Sequence, residues 1–276
     1  MHSPSVQRAG KRPRTAHWKF LLLVGGVLLL SAALTRALQC WLPFEPRRIF
    51  HRTASILGLL GIVVMRRLVD RRSIASLGLE PRRYAAGDLL TGARLGVVTL
   101  WALMAVLWWC GVWHVAVNPD QRKLWWSLVT CVPAALLIGC VEEFVFRGYV
   151  LRTLLEEYSV RTALLLTSVG YAVAHLGKPM AVWPSMWTDV VGLFVFGVVL
   201  ACAALRTNLL YLSIGLHASL VYLVKSQKHL LVFDGGSPRW LFGNERLLTG
   251  MAGWLALALL GWWVWRVTQG RAPRGQ

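Results

Sequence analysis

Acidic residues are scarce in this 276-residue chain: 12 Asp and Glu stand against 30 Lys and Arg, and charged residues of both signs make up only 15%. Soluble domains carry about 25%. The longest polar stretches are the N-terminal tail, 66–94 and 225–246, and none is long enough to coat a globular core. A soluble domain is therefore excluded. Cysteines are few as well. Cys40, Cys110, Cys131, Cys140 and Cys202 are odd in number, scattered in or beside apolar runs, and form no CxxC. That excludes a disulfide scaffold or a thiolate metal site and leaves five small buried hydrophobes. Internal repeats and low-complexity tracts are also missing.

What the chain has instead is apolar length: 56% hydrophobic residues and 15 Trp. A spanning helix needs about 20 largely apolar residues. Eight runs qualify or nearly qualify: Trp18 to Leu38, Phe50 to Met65, Leu95 to Val115, Leu124 through the Glu142–Glu143 pair, Thr162 to Leu176, Val190 to Leu205, Leu209 to Val224, and Leu248 to Val267. The second and fifth are short. The expected fold is an all-α polytopic integral membrane protein of about eight helices in one bundle. A basic tail over 1–17 precedes it, the helical domain covers 18–267, and a short tail covers 268–276. Arg8, Lys11, Arg12, Arg14 and Lys19 also suit the n-region of a signal peptide, but no convincing small-residue cleavage site follows, so the first run is read as a span.

A net charge of +18 invites a nucleic-acid reading until the charges are placed against the membrane. With eight spans and the N-terminus inside, nineteen of the 30 Lys and Arg fall on the inner side, seven of them between the second and third spans. Arg47, Arg48 and Arg52 dissent. The excess places both termini in the cytoplasm, and the expected setting is a bacterial inner membrane. The basicity is then topology and contact with anionic lipids, and no nucleic-acid partner is expected. Trp125, Trp126, Trp183 and Trp187, near span ends, read as an interfacial belt, and His114 as an interfacial residue.

Against this background the stretch CVEEFVFRGYVL, Cys140 to Leu151, stands out. A charge in mid-membrane costs about 2.5–3.5 kcal/mol, so such groups pair, face a wet cavity, or both. Glu143 and Arg147 are one helical turn apart and suit a pair. Glu142 lies about 100° further round the helix and needs another partner. If the helix turns back near Ser159, Glu142 lies 17 residues before the turn and His175 lies 16 after it, both about 25 Å from it at 1.5 Å per residue. His217, in the middle of LLYLSIGLHASLVYLV, reaches the same level. A buried carboxylate beside a second one can serve as general base toward water. Imidazoles can orient that water, donate to an oxyanion, protonate a leaving amine or bind a metal. The set suits amide hydrolysis.

These residues resemble the CPBP family, the CAAX-processing and bacteriocin-processing or immunity proteins also called glutamic intramembrane proteases. EEFVFR matches the motif EExxxR. YAVAH, Tyr171 to His175, is similar to FxxxH with Tyr in place of Phe, and HASLV, His217 to Val221, sits where HxxxN is expected. The resemblance covers about 124–224, the expected catalytic core. It implies an eight-helix membrane fold with a pocket open toward the cytoplasm. It further implies that Glu142 activates water, that His175 and His217 bind the water or stabilise the oxyanion, and that Glu143 and Arg147 support the pocket. The implied substrate is a peptide or protein in the membrane.

The third motif departs at its last position. Val221 replaces Asn, and its side chain neither donates nor accepts a hydrogen bond. Loss of one oxyanion donor costs about 10²- to 10³-fold elsewhere. Ser213 and Ser219 are the candidate substitutes, and Tyr171, one turn before His175, is read as packing with a hydrogen bond toward the site. No HExxH, GxSG or GxGD motif supports another membrane-protease chemistry. No cofactor is required. A zinc ion on Glu142, His175 and His217 ranks below a metal-free water. The alternative class is a non-catalytic binding, immunity or scaffold protein that uses the same polar pocket. Proton-coupled transport lacks the repeats and broken helices it would need.

Overall fold

The computed structural model of the protein describes residues 16–117, 120–175, 186–243 and 247–270. Arg8, Lys11, Arg12, Arg14, Trp183, Arg271, Arg274 and the end of the fifth run at Leu176 lie outside the described residues. Among the described residues, eight helices correspond to the eight apolar runs: α1 (Ala16–Gln39), α2 (Pro46–Val69), α3 (Ala85–Trp109), α4 (Gln121–Leu155), α5 (Val160–Ala174), α6 (Trp187–Thr207), α7 (Tyr211–Ser226) and α8 (Gly250–Val267). The chain is an all-α polytopic membrane protein. Six of these helices are long and apolar enough to cross a membrane; α5, with 15 residues, and α7, with 16, are shorter.

Three boundaries differ from the sequence reading. α2 starts at Pro46, whose fixed φ and missing N–H suit the first helical turn, and runs for 24 residues rather than the short stretch from Phe50. α3 begins at Ala85, ten residues before the apolar run, because its polar first turns are accommodated in the fold. Asp88 is buried and the Thr91 hydroxyl donates to the Gly87 carbonyl within the helix. α3 also stops at Trp109 rather than Val115. Trp113–Val115 instead forms strand β1, paired antiparallel with β2 (Leu231–Phe233) in the register Trp113 with Phe233. His114, placed in that ribbon, lies 3.2 Å from Asp234.

The molecule divides into two compact units, 1–71 with 153–159, and 72–152 with 160–276. In the first, α1 packs on α2. The Lys19 ammonium is held by Asp70 at 2.7 Å and lies 3.7 Å from Glu156, while Arg66 lies 3.4 Å from Asp70. Glu156, an exposed residue, thus has a cation within reach. The hairpin turn falls as anticipated, α4 ending at Leu155 and α5 starting at Val160.

The second unit is built around α7. Its residues 212–220 are all buried, with α3 and α4 packed on it and α5, α6 and α8 forming the rest of the wall. Leu100, Leu107, Leu200, Leu212, Leu216, Leu257 and Leu260 supply the apolar core. Glycines set the closest approach. A Cβ on Gly215 of α7 falls on the Leu89 carbonyl oxygen of α3, and one on Gly92 of α3 falls on the Leu212 carbonyl oxygen. Small residues at such crossings let backbones meet. Gly215→Val is therefore expected to force α3 off α7, measurable as a lower unfolding temperature in detergent than that of Gly58→Val, where nothing lies near the added carbon.

Candidate active site

The Glu pair sits where α4 changes its winding. Regular α-helix runs to Glu143, and Phe144–Val150 continues as π-helix before the α-helix resumes. One extra residue per turn makes such segments costly, and they recur at functional sites. Here the widened turn still lets Arg147 reach back to Glu143. An Arg147 guanidinium N–H donates to Glu143 Oε1 at 2.8 Å, and a second donates to the Gly197 carbonyl of α6 at 3.1 Å. Both side chains are wholly buried. The guanidinium also stacks over the Tyr171 ring, 4.6 Å from its centroid. This is a pinned ion pair and not a snorkelling one.

The second carboxylate differs in kind. The Glu142 side chain is 27% exposed and the His175 side chain 32%, against 2% for His217 and 0% for Glu143. The site thus has a closed layer of Glu143, Arg147 and His217, and a half-open layer of Glu142 and His175. Counting residues along the hairpin did place His175 correctly: its Nε2 lies 3.5 Å from Glu142 Oε2, and His217 Nε2 lies 3.7 Å from the same oxygen.

The hydrogen bonds also assign the ring tautomers. His175 Nδ1 is 2.8 Å from the Tyr171 carbonyl oxygen, which only accepts, so Nδ1–H donates. His217 Nδ1 is 2.8 Å from Glu143 Oε1, the oxygen that already receives Arg147, so it donates as well. In the neutral rings the Nε2 lone pairs are therefore left facing Glu142. Oε2 of Glu142 is buried and has no direct hydrogen bond among the described residues. Three acceptors converge on one point, at or beyond the outer limit of direct contact. A water molecule, which brings two donors, satisfies such a set.

Aromatic rings wall the cluster. Phe196 stands edge-on to His217, with centroids 5.2 Å apart, and Phe146 edge-on to Tyr171 at 5.1 Å. The Tyr171 hydroxyl reaches to 3.5 Å from His217 Nε2. The structure does not bring Ser213 or Ser219 into this group. Each donates to a carbonyl of its own helix, Leu210 at 3.0 Å and Leu216 at 2.9 Å, and Ser219 faces Gly96 on α3. Phe146, Phe196 and the Gly197 carbonyl were not singled out in the sequence. A backbone acceptor leaves no mark in the residue types, and Phe on an apolar helix reads as packing. Among the described residues, no group of three or more His, Cys, Asp or Glu is disposed to hold a metal ion.

No curated protein and no solved structure matches the chain. Residues 124–223, the segment holding Glu142, Glu143, Arg147, Tyr171, His175 and His217, match the family model described as type II CAAX prenyl endopeptidase, Rce1-like, in agreement with the resemblance of the motifs to the CPBP family.

Proposed function

We propose that the protein is an intramembrane endopeptidase that hydrolyses a peptide bond of a membrane-associated or lipidated peptide with a water activated by Glu142. The observation that carries this reading is the buried Oε2 of Glu142, without a direct hydrogen bond among the described residues and with two imidazole nitrogens 3.5 and 3.7 Å away. A water among them donates one hydrogen to Oε2 and the other to an Nε2. As its oxygen bonds to the peptide carbonyl carbon, Glu142 takes the proton and the C=O π pair moves onto the carbonyl oxygen. Collapse of that oxyanion breaks the C–N bond, and the Glu142 proton leaves with the amine. Arg147, Glu143 and the Gly197 carbonyl hold His217 in the tautomer that accepts from water. No metal enters this scheme.

The distribution of Lys and Arg supports both termini being cytoplasmic, with anionic lipids as neighbours rather than nucleic acid. A second reading rests on Val221: with no donor at that position, the same pocket serves a non-catalytic binding or immunity protein. The two separate in proteoliposomes given an internally quenched prenylated peptide. The protease reading expects cleavage on the carboxyl side of the prenylated Cys at a rate unchanged by 1,10-phenanthroline. Absence of cleavage of the lipidated peptide contradicts the substrate class, and loss of cleavage with the chelator contradicts the metal-free mechanism.

A further inference from the structure

With both imidazoles neutral, Glu142 is faced by acceptors: both Nε2 atoms carry lone pairs, two terminal guanidinium N–H groups of Arg147 are held by Glu143 and the Gly197 carbonyl, and Val221 occupies the motif position that carries Asn in the family. An oxyanion forming beside Glu142 needs at least one hydrogen-bond donor aimed at it. Among the described contacts of Glu142, His175 and His217, the Tyr171 hydroxyl is a neutral side-chain donor that reaches toward the cluster. It sits 3.5 Å from His217 Nε2 and close enough to interact with the Glu142 carboxylate.

Resting on the endopeptidase reading, we propose that the Tyr171 hydroxyl supplies the oxyanion donor in place of the absent Asn, making Tyr171 a catalytic residue. The second and third motifs then depart together and compensate: a hydroxyl is added to a ring on α5 as an amide is lost on α7. The rest of Tyr171 is explained by packing. Its ring lies under the Arg147 guanidinium at 4.6 Å and edge-on to Phe146 and Phe196, and Phe would serve those contacts equally. Only the hydroxyl goes beyond them, toward His217 Nε2 at the longest limit of a hydrogen bond and toward the Glu142 carboxylate, beside which the oxyanion forms. In the reaction it donates a hydrogen bond and keeps its proton, so the balance of the hydrolysis is unchanged.

The test uses full-length native protein, Tyr171→Phe, Val221→Asn and the double variant in cells, with Glu142→Gln as baseline. It measures the rate at which Glu142-dependent peptide termini appear after induction. Tyr171→Phe is expected to slow them about 10²- to 10³-fold without lowering the unfolding temperature of the purified protein, and adding Val221→Asn to that variant is expected to restore at least about tenfold. Glu142-dependent termini formed by Tyr171→Phe at the native rate overturn this inference alone. A slow Tyr171→Phe variant that Val221→Asn does not improve, and whose unfolding temperature falls, assigns the hydroxyl a structural role and also overturns it. If no termini depend on Glu142, the endopeptidase reading itself fails.

Discussion

Glu142→Gln is expected to lower hydrolysis by about 10²- to 10⁴-fold, the usual contribution of a positioned general base, with no loss of thermal stability. The carboxamide is isosteric, and Oε2 has no direct hydrogen bond to give up. The side chain is also partly open, so exchanging a charge for an amide there does not strand a buried partner. What changes is basicity, since an amide oxygen cannot take the water's proton. Activity and unfolding temperature, measured on one purified preparation, separate this outcome from misfolding. A Glu142→Gln variant that still turns over within a few-fold of native would remove Glu142 from the base role.

Five residues along the helix the expectation reverses. Arg147→Ala is expected to destabilise the protein by about 3–5 kcal/mol, because it removes one member of a buried ion pair and leaves the other uncompensated. Glu143 and Arg147 are both 0% exposed and 2.8 Å apart. Their pairing also fixes His217 through Nδ1, so activity falls with stability. The pair itself need not be a net source of stability, since two well-packed apolar residues often replace such a pair at no cost. Glu143→Leu combined with Arg147→Met is therefore expected to unfold at a higher temperature than Arg147→Ala, while remaining inactive for want of the acceptor that orients His217. Unfolding followed by size-exclusion in detergent, with activity assayed beside it, checks both halves. Equal stability of Arg147→Ala and the native chain would contradict the buried-pair account.

These opposite expectations for adjacent glutamates were partly legible in the sequence. The i to i+4 spacing singled out Glu143 as the partner of Arg147, and the fixed rise of a helix brought His175 level with Glu142 across the hairpin. Local geometry is uniform enough for counting to work. Counting fails where local rules are broken or partners are distant. The π-helical turn at Phe144–Val150 has no compositional signature. The start of α3 at Ala85 was hidden because Asp88 and Thr91 read as polar loop until the surrounding helices are in place. The β1–β2 ribbon joins two three-residue segments more than a hundred residues apart, too short for any periodicity to register. Ser213 and Ser219 looked eligible because spacing alone does not reveal that a buried helical serine bonds its own carbonyls. Tyr171 was legible as a departure from the motif, yet its meaning needed the ring tautomers, which only three-dimensional partners assign.

The central claim, that Glu142 drives peptide-bond hydrolysis, is tested most directly by comparing peptide termini in membrane and secreted fractions of cells carrying the native chain or Glu142→Gln at matched expression. The account predicts new termini in native cells that vanish in the Glu142→Gln cells. Identical termini in the two, with both proteins rescuing whatever phenotype loss of the chain produces, would show instead that the pocket binds and does not cleave.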